Sequence, residues 1–471
     1  MLRGEHIADR DLMARWAELL RWRLAVLRTE VVLGSVELAR LGLIALALAL
    51  QTIVLDSPGH FRPAPNAFFA VLTAGGTLLS LALCLAATLP LRRILDRRQR
   101  RILGVIALAT LGLLSIFGIQ RAIGGVGQVV TRQPYNNDGA VMDLYAGTQV
   151  LRGHNPYLKT NIVAALATID APAFTTTPLM DGQFRGTQAY PSEQAIQSVF
   201  LNVLRYRPRT VPPEFESKYN YPSGSFLFIL PFIWIGLHDM RFLYALAVAA
   251  MGCYLAWRLP RSLRPLAPLL ILANVPLIAL TAGGQPDPLY GLVLLVGYAE
   301  WNRSRLSPLC MGVAMAIKQL AWFFLPFYLL LIIRHFGWRE ALRRGGIICA
   351  VFLLFNLPFI IQSPGSYLTS ISGPMTDPMF PLGSGLIALF VAGTIPLLPK
   401  IAFSLAELLA WAGGLFASHR WPTLPPATAA VLGALPLFFA WRSLVNYFYL
   451  VPLLVMAIML ADAGRQVRQE R

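Results

Sequence analysis

The sequence predicts an all-α, polytopic integral membrane protein, and three observations carry that prediction. Of the 471 residues, 56% are apolar and only 13% are charged, roughly half the charged share of an ordinary soluble chain. Apolar runs of about 17–25 residues recur along the whole chain, each long enough to cross a hydrocarbon layer of roughly 30 Å. The mean hydropathy of +0.58 agrees. A core helix of a large soluble enzyme explains any one run, but not the whole series.

Residues 1–30 come first. Residues 10–28 (RDLMARWAELLRWRLAVLR) read as an amphipathic helix lying on the membrane surface, with a solvated helix as the plainer alternative. No small-residue cleavage site follows a short apolar region, so a cleavable signal is not expected. Residues 31–101 hold two apolar runs, near 32–55 and 67–91, read as a peripheral pair of spans. A dense arginine cluster follows (Arg92, Arg93, Arg97, Arg98, Arg100, Arg101). Such a cluster in a short connection belongs on the cytoplasmic side. The third span, near 102–122, therefore exits on the outer face near Ile123.

The long polar stretch 125–220 comes next, and connections of that length are usually functional. It opens with one or two short helices over 137–152, then turns irregular. Further apolar runs lie near 223–237, 242–258, 266–282, 288–301, 308–333, 345–362, 386–398, 401–418, 424–440 and 444–461. Basic connections (Arg258, Arg261, Arg264; Arg303, Arg305; Arg334, Arg339, Arg343, Arg344) and the tail 463–471 mark the cytoplasmic side. Simple alternation does not satisfy all these markers. It is restored if 223–237 and 386–398 are re-entrant and 308–333 bends back near Lys318. Irregular backbone at membrane depth is tolerated only against protein or a wet cavity, so the breaks point to a site. The reading is roughly 11–13 helices with no soluble domain and no internal repeat.

The net charge of +17 does not indicate nucleic acid. The basic residues sit in short connections, where they orient the chain and meet anionic headgroups of membrane lipids. Cys84, Cys253, Cys310 and Cys349 fall inside apolar runs and read as buried small hydrophobes. The scattered His154, His238, His335 and His419 show no metal-ligand spacing. Neither a metal nor a nucleotide fingerprint is implied.

Four polar groupings stand out. The first is Asn136-Asn137-Asp138-Gly139 with Asp143, followed by Arg152-Gly153-His154-Asn155-Pro156-Tyr157. A carboxylate at a cavity rim can serve as general base toward a hydroxyl; an ordinary N-cap accounts for one of these residues equally well. Asp138 and Asp143 lie about 140° apart on a helix, which disfavours a two-carboxylate mechanism. The second is Tyr219-Asn220-Tyr221-Pro222, where interfacial anchoring accounts plainly for one tyrosine, and Pro222 suits a first helical position. The third is Gly283-Gly284-Gln285-Pro286-Asp287. A tight turn accounts for its glycines and proline, but not for Gln285 and Asp287. The fourth is Lys318, deep in an apolar run. A cation there is costly and by default functional, with snorkelling as the alternative. A compact ammonium suits an anionic headgroup. Softer features are Asp377 with Pro381-Leu382-Gly383-Ser384-Gly385, and Arg442 with Asn446 at the start of the last run.

In this order, the groupings resemble the GT-C superfamily of membrane glycosyltransferases. More narrowly they are similar to glycosyltransferase family 87, which includes phosphatidylinositol-mannoside mannosyltransferases. The matching residues are Asp138-Gly139-Ala140, then Val150-Leu151-Arg152-Gly153-His154-Asn155-Pro156-Tyr157 with one residue fewer between Leu151 and Gly153. They continue with Tyr219-Asn220-Tyr221-Pro222, Gly284-Gln285, and Gly312 to Lys318 followed by Leu325-Pro326-Phe327. The resemblance covers roughly 102–460, so it implies a catalytic domain over 102–462. It implies a polyprenyl-phosphate hexose as donor, mannose foremost, and a lipid or glycolipid acceptor. Transfer would invert the anomeric centre on the non-cytoplasmic face of the cell membrane, without a nucleotide sugar. Asp138 would be the general base with Asp143 in reserve. The donor phosphate would lie on Lys318, with Arg442 as the weaker partner. His154, Asn155, Tyr157, Tyr219, Tyr221, Gln285 and Asp287 would line the substrate. The competing reading is a transporter or flippase of lipid-linked sugar, which also uses many spans, broken helices and intramembrane charge.

Overall fold

Apolar runs become helices because a backbone inside hydrocarbon has only itself to hydrogen-bond with. The computed structural model describes residues 35–58, 63–206, 210–259, 264–421 and 423–469. The helix expected at 10–28 lies outside the described residues, as do Arg261 and Arg471. Among the described residues, six helical stretches are long and apolar enough to cross a membrane: Val36–Asp56, Ala67–Thr88, Arg97–Val130, Trp338–Gln362, Lys400–Arg420 and Val445–Asp462. Five shorter apolar helices join them: Gly224–Trp234, Asp287–Ala299, Leu306–Ile317, Leu320–Phe336 and Thr428–Phe439. Large apolar side chains such as Phe68, Ile116, Leu354 and Leu409 are each more than half exposed. An apolar surface this extensive suits lipid rather than water, and the chain is a helical membrane protein.

The helix Arg97–Val130 opens on a capping box, in which Asp96 accepts from the Gln99 amide at 2.7 Å and Gln99 accepts from the Asp96 amide at 2.9 Å. Its 34 residues extend about 51 Å, well beyond the end expected near Ile123. Of the glycines after Ile123, Gly125 serves a helix–helix contact, since a Cβ there would lie 2.6 Å from the Ala282 Cβ. Nearer its start the same helix presses on a neighbouring backbone, where a Cβ on Gly118 would lie 1.8 Å from the Leu272 carbonyl oxygen.

The helices Ser35–Asp56 and Ala67–Thr88 do not form the peripheral pair expected. Ile44, Leu48, Leu81 and Cys84 belong to the main buried core. Gln51 donates to the Phe448 carbonyl at 3.1 Å, and the Thr88 and Thr428 hydroxyls meet at 3.0 Å. Gln51 thus finds a backbone carbonyl and Thr88 a hydroxyl on other elements of the bundle, and that gives them a reason to sit inside apolar spans.

Several apolar runs are discontinuous. The run 266–282 divides into Leu266–Leu272 and Val275–Ala282. Asn274 sits at the gap, accepting from the Leu277 amide at 3.2 Å and donating to the Tyr449 carbonyl at 2.7 Å. The run 308–333 divides at the expected place, with Leu306–Ile317 and Leu320–Phe336 flanking an extended Lys318 (φ −148°, ψ 137°). Gly224–Trp234, at 11 residues, spans only about 16 Å, half of a membrane. It begins after Pro222, so that proline precedes the first turn instead of occupying it. Within 386–398 only Ile387–Val391 is helical. The last helix starts at Val451, later than the run predicts, because Arg442–Ser443 (β2) pairs in parallel with Leu382–Gly383 (β1).

The long polar stretch 125–220 is more ordered than its composition suggests. It carries the helices Asp138–Leu151, Pro156–Lys159, Ile162–Ile169 and Glu193–Tyr206. Leu179 donates to the Glu214 carbonyl at 2.8 Å, Glu216 to the Thr177 carbonyl at 2.9 Å and Met180 to the Pro378 carbonyl at 2.7 Å. Residues 177–180 thus lie between two other extended segments. Of the cysteines, Cys84 is buried, but Cys253 and Cys349 are exposed, against the expectation that all four are interior; they occupy outward faces of helices.

The close approach at Gly118 gives a matched test. Gly118→Ala must displace a backbone carbonyl and is expected to cost about 1–3 kcal/mol. Gly112→Ala on the same helix meets nothing within 4 Å and is expected to be neutral to stabilising. Thermal unfolding of the two variants in detergent checks the difference.

Candidate active site

Three of the four polar groupings converge through one chain of hydrogen bonds, and the fourth packs against it. Asn137 is the N-cap of Asp138–Leu151, accepting from the Ala140 amide at 3.1 Å. Its amide nitrogen donates to the Gln285 carbonyl oxygen. Gln285 donates in turn to Asp287 at 3.1 Å, and Asn446 donates to the same Asp287 oxygen at 2.8 Å. The other Asp287 oxygen pairs with the Lys318 ammonium. The turn is clamped from the first grouping, since the Asn136 amide donates to the Gly283 carbonyl at 3.0 Å. Gly284 adopts φ +93° against the Tyr135 ring, a conformation that favours glycine. The Tyr221 ring lies 5.1 Å from the Lys318 nitrogen and the Tyr290 ring 5.8 Å. Gln319 donates to the Asn220 carbonyl, tying the tyrosine grouping to the helix break.

This network is buried. Asp287 is wholly buried and Gln285, Lys318 and Asn446 are nearly so. A buried ion pair offsets its desolvation only when its remaining lone pairs and protons are also satisfied; the two amides meet the second Asp287 oxygen, the two tyrosine rings face the ammonium, and Asn446 Oδ1 has no donor among the described residues. Lys318 therefore differs from its expected role: its charge is neutralised by Asp287, so it braces the site and does not stand ready for a phosphate. Gln285 and Asp287 are likewise bracing groups. Arg442 lies on β2, in the β1–β2 pairing, and is a half-buried cation near the network. Its Nη1 has no acceptor among the described residues, and its charge acts on Asp138.

The two carboxylates of the first helix have separate surroundings. Asp138 is half-buried, and because Asn137 takes the cap its carboxylate is left to other partners. The Thr177 hydroxyl donates to it at 2.7 Å. Burial raises its pKa above the ordinary aspartate value; Thr177, Arg442, the Gly139 amide and Lys318 oppose that rise. Asp143 is wholly buried, accepting from the Tyr219 hydroxyl at 2.5 Å and the Ser225 hydroxyl at 2.7 Å. Burial pushes it up to about 6 against those two hydrogen bonds. Both of its oxygens are occupied and unreachable, so the reserve role is corrected to a clasp between the site helix and Gly224–Trp234.

The substrate-lining expectations divide the same way. Tyr221 flanks the polar network. Tyr157 and Tyr219 do not line a surface: they are buried in an aromatic cluster with Phe226, Phe359 and Tyr367, and Tyr157 donates to the Tyr221 carbonyl at 2.8 Å. Asn155 caps the turn Pro156–Lys159. His154 is exposed and meets Gln149 at 3.0 Å, outside the network. Sequence reasoning missed Thr177, which sits in a run of threonines with nothing to single it out. It also missed Glu216 and Lys218, for which nearness to the Tyr-x-Tyr-Pro motif was the one signal in the sequence.

No protein-family profile, curated protein or solved structure matches the chain.

Removing the Lys318 charge strands a buried carboxylate. Lys318→Met alone is expected to cost about 3–5 kcal/mol. The double change Lys318→Met with Asp287→Leu should cost clearly less than either alone, as read by unfolding of purified protein in detergent.

Proposed function

We propose that this chain is an inverting membrane glycosyltransferase of the GT-C type, akin to family 87, with roughly 11–13 crossings. It transfers a hexose, mannose foremost, from a polyprenyl-phosphate donor to a hydroxyl of a lipid or glycolipid acceptor. The transfer takes place on the non-cytoplasmic face of the cell membrane. The observation that carries the proposal is a half-buried Asp138 carboxylate that accepts from Thr177 and feels the charge of Arg442, whose buried Nη1 has no acceptor among the described residues.

The chemistry follows from those two groups. Asp138 takes the proton of the acceptor hydroxyl. The freed oxygen attacks the anomeric carbon from the face opposite the phosphate, the carbon–oxygen bond to phosphate breaks, and its electron pair leaves with the phosphate. Arg442 faces the growing negative charge, and a preorganised cation in a dry site is an effective stabiliser of such charge. A phosphate departs without an acid, so one carboxylate suffices. Lys318, Asp287, Gln285 and Asn446 hold Asn137, and through it the start of the Asp138 helix. The broken helices and buried ion pair also suit a lipid-linked-sugar transporter. That second reading predicts movement of the donor across a bilayer with no new glycosidic bond.

The assay is purified protein with polyprenyl-phosphate mannose and a lipid extract. Asp138→Asn should abolish glycolipid product. Arg442→Ala should lower turnover by about 10²-fold or more, with a smaller loss for Arg442→Lys. Wild-type turnover in Asp138→Asn contradicts the base assignment.

The pH dependence has a defined sign. The base works only when ionised, so the rate should fall as pH drops through the Asp138 value, which burial holds above the ordinary aspartate range. Thr177→Val removes a hydrogen bond that favours the ionised form. The acid limb of its rate–pH profile should therefore move to higher pH, with the plateau rate less affected.

A further inference from the structure

A second carboxyl pair lies outside the proposed chemistry. Glu216, in the first outer segment, is 6% exposed, and its Oε2 has no hydrogen-bond partner among the described residues. Asp377, in the second outer segment, presents an equally unpartnered Oδ2. The two oxygens share one small space beside Gly373, whose Cβ position is 2.8 Å from Asp377 Oδ2 and 3.6 Å from Glu216 Oε2. The remaining oxygens are supplied. Glu216 Oε1 accepts from the Lys218 amide at 2.9 Å, and Asp377 Oδ1 pairs with the Lys218 ammonium at 2.5 Å. Two buried acceptors side by side, each lacking a donor, are unfavourable as two anions.

We propose that Glu216 and Asp377 share one proton and form an acid–carboxylate latch between the two outer segments, and that this latch positions Thr177 against Asp138. The linkage is short. The Glu216 amide donates to the Thr177 carbonyl at 2.9 Å, and the Thr177 hydroxyl donates to Asp138 at 2.7 Å. From the other side, Met180 donates to the Pro378 carbonyl at 2.7 Å, next to Asp377. The 177–180 segment is thereby held between the two halves of the latch. Glu216 is a positioning residue in this account.

The charged groups around the pair decide which carboxyl keeps the proton. On the Glu216 segment are Lys218, bound to Asp377, and Glu214, which is turned away to accept from the Gln183 amide at 3.0 Å. From the helix Lys400–Arg420, Lys400 donates to the Asp377 carbonyl at 2.9 Å, and Arg442 lies within electrostatic reach of that lysine. The cations favour an ionised Asp377, leaving the proton on the more deeply buried Glu216. Burial, then the neighbouring Asp377, raises Glu216 from 4.5 to about 8. The folded state therefore holds the extra proton between those two values. The latch's contribution to stability is full below the lower value, declines as pH rises between them, and is gone above the upper.

The latch is testable without any turnover, whereas its effect on Asp138 rests on the glycosyltransferase reading. Infrared spectra of the purified full chain should contain a protonated-carboxyl band that bleaches between about pH 7 and about pH 9. Protection of the Leu179 and Met180 amides, taken relative to their intrinsic exchange rates at each pH, should fall over the same range, and exchange in the variants is read on that scale. Glu216→Gln keeps a donor toward Asp377 but cannot titrate, so it should lose the band and show slow exchange across the whole range. Glu216→Ala should exchange fast throughout, and in Asp377→Asn the band should bleach at lower pH than in wild type, because burial remains but the neighbouring acid is gone. A Glu216→Gln protein with the same titrating band and the same pH-dependent exchange as wild type overturns the proposal. If the latch titrates as described but no sugar transfer is found, only the glycosyltransferase reading falls.

Discussion

The buried pair of Lys318 and Asp287 is the constraint from which the rest of the site follows. A full positive charge and a full negative charge inside an apolar bundle are tolerable only together and only when their remaining hydrogen-bonding capacity is met. That requirement shapes one run and one connection. The run 308–333 breaks at Lys318, whose extended backbone separates Leu306–Ile317 from Leu320–Phe336. The connection between the runs 266–282 and 288–301 is the turn before Asp287, where Gln285 donates to the carboxylate. Gln285 then accepts from Asn137, so an ion pair among the helices fixes where the helix Asp138–Leu151 begins. With Asn137 committed to the cap, the neighbouring Asp138 carboxylate is left to accept from Thr177.

The same division of labour accounts for residues of one chemical type taking different roles. Asp138, Asp143 and Asp287 are all acidic and close together, but only Asp138 is half-buried and held by a single side-chain donor, Thr177. Asp143 is enclosed by two hydroxyls, and Asp287 by a lysine and two amides. Among the cations, Lys318 is consumed internally while Arg442 keeps an unpartnered nitrogen. A buried polar network whose members are largely satisfied rigidifies its surroundings.

Much of this was legible in the sequence, for identifiable reasons. The apolar runs predicted helices because hydrocarbon length and composition constrain them strongly. The break at Lys318 was legible because the basic connections at both ends of the run 308–333 required it to bend back. The polar groupings stood out against an apolar background, and they do meet. The pairings were not legible. Nothing in the spacing of Asp287 and Lys318, 31 residues apart, states that they neutralise each other. Hence Lys318 read as a phosphate ligand, and Tyr157 and Tyr219 as substrate-facing groups when they are core. Thr177 and the Glu216–Asp377 pair were hidden because their partners are distant in the chain and their own neighbourhoods are compositionally bland. The helix Glu193–Tyr206 was missed in a stretch whose threonine, proline and glycine content suggests coil, although its own apolar positions Ile196, Val199 and Phe200 pack inward.

The central claim is that Asp138 and Arg442 act on opposite ends of one displacement at an anomeric carbon. It is tested most directly by the stereochemistry of the product. Full-length protein reconstituted in vesicles would be given an isotopically labelled polyprenyl-phosphate hexose and a lipid acceptor, and the anomeric configuration of the transferred sugar read by nuclear magnetic resonance. The account predicts a new glycosidic bond of inverted configuration together with release of polyprenyl phosphate. Retained configuration, or movement of the intact donor across the bilayer with no new bond, would contradict it.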